Sequence, residues 1–256
     1  MLELNNLNCG YGTEDILRGI SLRVNAGEFL CVAGPNGCGK STLLKAIARL
    51  LPFRGNIAIE GRDSAGFSRK ELARHIALLG QVSPLYFPYT VYDTVAMGRY
   101  ARRKGWFGSL DSADAAAIEN VLTTLGLDPL REKPINELSG GQLQLVFLAR
   151  TLAQEPRIIL LDEPTSHLDI KHQLSLLDHL ASWVRAEKRT VISVFHDLNL
   201  ALRYSNRVIL IADGTIAAQG PAAEVLSGSI LKGLYGMDTD LLFPVRINAV
   251  PLIRQA

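Results

Sequence analysis

The stretch Phe29-Leu30-Cys31-Val32-Ala33-Gly34-Pro35-Asn36-Gly37-Cys38-Gly39-Lys40-Ser41-Thr42 decides the fold. Its first five residues are uninterrupted apolar, the mark of a short strand buried on both faces. Residues 34–42 then match G-x-x-x-x-G-K-[ST]. Leu43, Leu44, Ile47, Leu50 and Leu51 follow at helical spacing, so a helix is expected up to Pro52. Strand, glycine loop and helix in that order are what a phosphate site needs. Glycines let consecutive backbone N–H groups curl into a nest around an anion. The helix start adds partial positive charge. Lys40 has the reach to meet β- and γ-phosphates, and the Ser41 hydroxyl suits Mg²⁺. With Gly at ordinary frequency, a chance match somewhere in such a chain is on the order of one per cent. Cys38, inside the loop, is expected to be a small filler rather than a reactive thiol.

Outward from this loop, strand-like and helix-like runs alternate. Ile158-Ile159-Leu160-Leu161 reads as a second buried strand, and it ends in Asp162-Glu163. Ile170, Leu174, Leu177, Ala181 and Val184 form a helical stripe. Residues 190–195 and 208–211 are further strands, the second closed by an Asp213-Gly214 turn. Such alternation predicts an α/β fold with a mostly parallel sheet. Residues 1–33 and 56–62 suggest a flanking antiparallel β element. Residues 86–153 carry no clear strand. Ile118, Val121, Leu122 and Leu125 form a helical stripe there, with Ser112 as its expected N-cap and Gly126 as its stop.

Two carboxylates at the end of a parallel strand lie where such sheets bind ligands. Asp162 suits Mg²⁺, and Glu163 suits acceptance of a proton from an attacking water.

Composition narrows the classes. The chain has 256 residues, 48% of them apolar and 20% charged, which excludes wholesale disorder. A net charge of +2 gives no general pull toward nucleic acid, and no nucleic-acid partner is expected. Three cysteines, Cys9, Cys31 and Cys38, form no disulfide framework and point to a reducing compartment. No run approaches the ~18–20 apolar residues of a membrane span, and the N-terminus lacks a signal-peptide pattern. The five histidines have no zinc-ligand spacing with the cysteines, so no structural metal is expected.

Leu138-Ser139-Gly140-Gly141-Gln142 opens the apolar helix that carries Leu145, Val146, Leu148, Ala149 and Leu152. Ser139 is a good N-cap, and two glycines leave N–H groups open for a second anion. This pentapeptide resembles the signature of ABC-type ATPases, and the other parts fall in that family's order over residues 1–220. The resemblance implies a P-loop NTPase core with a mostly parallel sheet, an antiparallel β subdomain and a helical signature subdomain. As one ABC ATPase domain over 1–256, it would place the core in 1–85 and 154–220, the helical subdomain in 86–153 and a tail in 221–256. It implies ATP as substrate with Mg²⁺ held by Ser41, Gln81 and Asp162. Tyr11 resembles the aromatic that stacks on adenine. Gly34, Pro35, Asn36, Gly37, Cys38, Gly39, Lys40, Ser41 and Thr42 resemble its phosphate loop. Gln81 and His196 resemble its γ-phosphate sensors, and Glu163 its catalytic base. Ser166-His167-Leu168-Asp169 resembles the loop that touches the other subunit, with Asp169 at the dimer contact. In the head-to-tail homodimer that the family implies, Ser139, Gly140, Gly141 and Gln142 of one subunit meet the ATP on Lys40 of the other. Here Leu143-Gln144-Leu145 follows the signature, where many members carry a basic residue.

Thr90-Val91-Tyr92-Asp93-Thr94-Val95-Ala96-Met97-Gly98-Arg99 is similar to the importer branch for iron-siderophores, haem and vitamin B12. That branch often has Pro-His after Gly-Arg, and Ala101-Arg102-Arg103-Lys104-Gly105-Trp106-Phe107 stands here instead. The resemblance implies membrane permease subunits docking near residues 83–100, with Tyr86, Phe87, Tyr89 and Tyr92 as the expected groove lining. It also implies an external substrate-binding protein acting indirectly, and a peripheral place on the cytoplasmic face of the inner membrane. Residues 102–107 are expected to be a solvated loop. The main alternative is a soluble ABC ATPase of DNA repair or translation. One phosphate loop and no heptad run argue against it, and the signature and His196 argue against a P-loop kinase or GTPase.

Overall fold

In the computed structural model, β3 (Phe29–Ala33) is wholly buried and pairs in parallel on both sides. The structure describes residues 1–80, 88–103, 110–166, 168–227 and 230–232. The remaining strands are β1 (Leu2–Tyr11), β2 (Glu14–Val24), β4 (Phe53–Ile59), β5 (Arg62–Asp63), β6 (Ile76–Leu79), β7 (Ile158–Asp162), β8 (Thr190–Val194), β9 (Arg207–Ala212) and β10 (Thr215–Pro221). One sheet runs β10-β9-β3-β8-β7-β6, parallel except for the β9–β10 hairpin. A second sheet, β2-β1-β4-β5, is antiparallel throughout. Asp213 and Gly214 both take positive φ, 47° and 75°, which gives the hairpin the primed turn its twist requires.

The uninterrupted apolar runs are explained by two cores. Phe29, Cys31 and Ala33 face one, and Leu30 and Val32 face the other. β7 divides likewise, with Ile159 and Leu161 on one side and Ile158 and Leu160 on the other. The helix α1 (Lys40–Ile47) lies in the second core with the inner face of the antiparallel sheet. The first core is closed by α3 (Val91–Ala96), α4 (Ser112–Thr124), α5 (Gly140–Ala153), α6 (Ile170–Glu187) and α7 (Leu198–Tyr204). Two further short helices are α2 (Arg69–His75) and α8 (Ala222–Val225).

Three local expectations are corrected. The helix after the glycine loop ends at Ile47, not Leu51. Arg49 turns left-handed at φ 55° while its guanidinium donates to the carbonyls of Ser64 and Phe67 at 2.6 and 2.9 Å, and Leu50 is left 64% exposed. Tertiary anchoring therefore overrides an apolar repeat. The N-cap of α4 is Asp111 rather than Ser112, because Asp111 and Asp114 cap each other's backbone N–H reciprocally. Strand β8 stops at Val194, before Phe195. The sequence pattern does not mark the edge strand β6, which follows α2 without a break and pairs with β7 in parallel.

Candidate nucleotide site

At the carboxyl end of β3 the chain enters the loop through Gly34, at φ 146°. A Cβ there would stand 2.1 Å from the Ile211 carbonyl oxygen, so only glycine fits. Gly39, at φ 106°, precedes α1, and no side chain caps that helix. The first-turn N–H groups of α1 therefore lack a side-chain partner and suit an anion. Asn36 and Gly37 are exposed at the loop tip, and Thr42 is buried. Lys40 is buried at the start of α1, and its Nζ donates to the carbonyls of Gly34 and Pro35 at 2.9 and 2.8 Å. Those bonds hold the ammonium inside the loop. Cys38 is buried beneath it, and burial pushes its thiol up from the ordinary value, which disfavours a reactive thiolate.

Asp162 ends β7, and its Oδ1 accepts from the Ser41 hydroxyl at 3.0 Å. Burial pushes the Asp162 carboxyl up, and neighbouring Glu163 adds to this against the pull of the Ser41 hydrogen bond. Glu163 then turns left-handed at φ 55°, an uncommon conformation for a non-glycine residue. β7 and β8 run side by side with Asp162 opposite Val194, so residues just past each strand emerge together. The result is a His196 Nε2 to Glu163 Oε1 distance of 2.6 Å. Ser166 Oγ donates to Glu163 Oε2 at 3.4 Å. The buried Gln144 side chain, from α5, donates to the backbone carbonyls of Glu163 and Pro164 at 3.2 and 2.7 Å.

The other sequence-derived residues lie around this centre. Tyr11 closes the β1–β2 hairpin, is exposed, and accepts a hydrogen bond from Lys45 Nζ at 3.3 Å. Ser139 caps α5, with its Oγ accepting from Gln142 N–H and the Gln142 Oε1 accepting from Ser139 N–H. Ser139 and Gly140 are exposed, and Gly141 is half-buried. Among the described residues no hydrogen bond or ion pair joins this helix start to the Gly34–Thr42 loop. Asp169 caps α6, and the His172 backbone N–H and ring hold its carboxyl below the usual carboxylate range. Gln81 and His167 lie outside the described residues.

The described residues thus hold two anion-ready helix starts, an acidic strand end and a histidine beside it. The family model described as ABC transporter matches residues 17–166. The chain belongs to this family. It is 39% identical over 91% of its length to the Achromobactin transport ATP-binding protein CbrD of Dickeya dadantii (strain 3937), covering 86% of that protein. It is 38% identical over 90% of its length to the Ferric enterobactin transport ATP-binding protein FepC of Escherichia coli (strain K12), covering 85% of that protein. Among solved structures, the dimeric post-hydrolysis ATP-binding cassette MJ0796, bound to ADP and Pi, superposes with a TM-score of 0.76 at 29% identity. That match spans 87% of this chain and 99% of the other. The protein is an ABC ATPase, and its substrate is ATP.

Family membership leaves the segment after residue 88 to be explained locally. In this ABC ATPase, Thr90 and Asp93 form a reciprocal cap that starts α3. Gly98 lets the chain approach α5 so closely that a Cβ would meet the Arg150 carbonyl oxygen at 2.2 Å. Arg99 is buried there, and its guanidinium donates to Asp114 at 2.8 Å, the Ala153 carbonyl at 2.7 Å and Glu155 at 2.8 Å. Arg99 therefore ties α4 to the carboxyl end of α5. This buried anchoring by Gly98 and Arg99 depends on partners 52 to 56 positions away and is not legible in the local sequence.

Tyr92 does not belong to an exposed lining. It is half-buried, with the Arg131 guanidinium 5.2 Å over its ring and its N–H on the Arg131 carbonyl at 2.9 Å. Tyr89 and Tyr100 are the exposed aromatics of the described segment, at 43% and 59%. Tyr86 and Phe87 lie outside the described residues. Arg102 is not simply solvated either, since its guanidinium donates to the carbonyls of Gln154 and Glu155 at 3.0 and 2.7 Å. Lys104, Trp106 and Phe107 also lie outside the described residues. Among the described residues no helix is long and apolar enough to cross a membrane.

Proposed function

We propose that this ABC ATPase powers an importer of iron-siderophore complexes, hydrolysing MgATP in a head-to-tail homodimer docked on membrane permease subunits. The observation that carries the hydrolytic part of this reading is the convergence of Lys40, Ser41, Asp162, Glu163 and His196 at one edge of the parallel sheet. The relatives named for achromobactin and ferric enterobactin transport direct the cargo toward siderophores rather than haem or vitamin B12.

Backbone N–H groups of residues 34–42 and the Lys40 ammonium bind the phosphates. Tyr11, exposed at the edge of the site, stacks on the base. Ser41 and Asp162 form an oxygen donor pair that fits Mg²⁺, which favours hard oxygen ligands and keeps several waters; Gln81 would add a third. When bound with ATP, Mg²⁺ neutralises charge on the phosphate oxygens. Glu163 accepts a proton from the attacking water, and His196 orients that carboxylate and meets the γ-phosphate. Ser139, Gly140, Gly141 and Gln142 reach the partner subunit's nucleotide, and Asp169 lies at the dimer contact. Permease subunits dock near residues 83–100, which places the protein on the cytoplasmic face of the inner membrane. A substrate-binding protein outside the cell delivers the cargo.

The test is ferric-siderophore uptake by cells whose only copy carries Glu163→Gln. Uptake is expected to cease while the protein still sediments with membranes. Undiminished uptake overturns the siderophore-importer reading.

A further inference from the structure

Gln144 is a polar side chain buried to 7% exposure. Among the described residues its side chain donates to the carbonyls of Glu163 and Pro164, one on either side of Pro164. One amide group has two N–H donors, and both are used. The backbone they hold is the uncommon one, with Glu163 at φ 55°. A left-handed non-glycine residue is strained and persists where its surroundings over-determine it. Ser166 N–H adds a third bond, to the Glu163 carbonyl at 3.2 Å. The side chain of Glu163 leaves this fixed turn to meet His196.

We propose that Gln144 is a positioning residue for hydrolysis: it sets the backbone turn that aims Glu163. This rests on the reading of Glu163 as the base. Gln144 lies two residues past Gln142 on α5, whose exposed start carries Ser139. The Gln144 amide therefore joins the signature end of α5 to the Glu163 turn of the same chain.

Gln144→Met keeps the side-chain length and removes both donors. In the purified protein it is expected to lower kcat at least tenfold while the Kd for ATP stays within twofold. A Tm decrease alone, with kcat within twofold of wild type, overturns the proposal and leaves Gln144 a packing residue. The decisive measurement is a cycle with Glu163→Gln, because residues acting as a unit are not additive. In the Glu163→Gln background, Gln144→Met is expected to reduce residual turnover no further. A full, independent tenfold loss in that background overturns the proposal even if the single variant is slow. Should Gln144→Met fail to fold, Gln144→Asn, which keeps the amide one methylene shorter, carries the same cycle. If Glu163→Gln alone retains wild-type turnover, the base assignment has failed, an outcome distinct from the failure of Gln144.

Discussion

His196 Nε2 and Glu163 Oε1 are 2.6 Å apart. Neither residue predicts the other in sequence, for they are joined only because β7 and β8 are neighbours. The contact occupies one carboxylate oxygen and leaves the second within 3.4 Å of the Ser166 hydroxyl. An attacking water would have to share this carboxylate with two protein groups, so its orientation is closely set.

Glu163→Gln keeps the shape and removes the proposed base. General-base contributions are typically about 10²–10⁴-fold, and a loss of that order in kcat is expected with nucleotide binding retained. The ATP-bound dimer should accumulate and be seen by size-exclusion chromatography. Retention of more than about a tenth of wild-type turnover would show that another group takes the proton.

Lys40→Ala removes the ammonium that bridges the Gly34 and Pro35 carbonyls. Both ATP affinity and turnover should collapse, and the loop should lose internal order. Titration with a fluorescent ATP analogue checks this, and a Kd within threefold of wild type contradicts the assignment.

Ser139→Arg should separate the two helix starts. Ser139 is exposed and shares no recorded bond with the Gly34–Thr42 loop among the described residues. ATP binding to the monomer should therefore persist while dimer-dependent turnover disappears. Loss of monomer binding would move Ser139 into the site of its own chain.

Arg99 and Asp114 form a buried pair at 2.8 Å. Burial opposes the Asp114 charge, but the Arg99 guanidinium and the Asp111 backbone N–H outweigh it and hold the carboxyl below its usual range. A lowered folded value means that the stabilisation is complete above the unfolded carboxylate range. It is lost as pH falls through the folded value. Breaking such a pair from one side costs about 3–5 kcal/mol. Asp114→Asn should lower Tm at neutral pH and flatten the further fall in acid below about pH 4. An unchanged acid limb of the Tm profile would rule out this linkage.

Tyr89→Arg with Tyr100→Arg alters two exposed aromatics of the segment proposed to meet the permease, without touching the core. Aromatics are enriched among interface hot spots. Basal ATPase should remain near wild type while co-sedimentation with membranes from the native cell is lost. A double variant that sediments fully would place the docking surface elsewhere.

The sequence by itself determined the local devices. The apolar run into Gly34, the capped start at Ser139 and the Asp213-Gly214 turn are each written in a few adjacent residues, because nests, caps and turns are satisfied within one turn of chain. It also placed Asp162-Glu163 at a strand end, where an acidic pair gains meaning from the phosphate loop in the same chain. Tertiary structure decided the rest. Ser41 meets Asp162 across 121 positions, and Arg99 reaches the end of α5 across 54. Nothing in the sequence marks the amide of Gln144 for the Glu163 turn, which it meets only in the fold. Helical periodicity suggested four residues too many after Ile47, because the Arg49 side chain found distant carbonyls. Such partners are chosen by which strands lie side by side and which helix covers them, and that choice is made by burial summed over both cores.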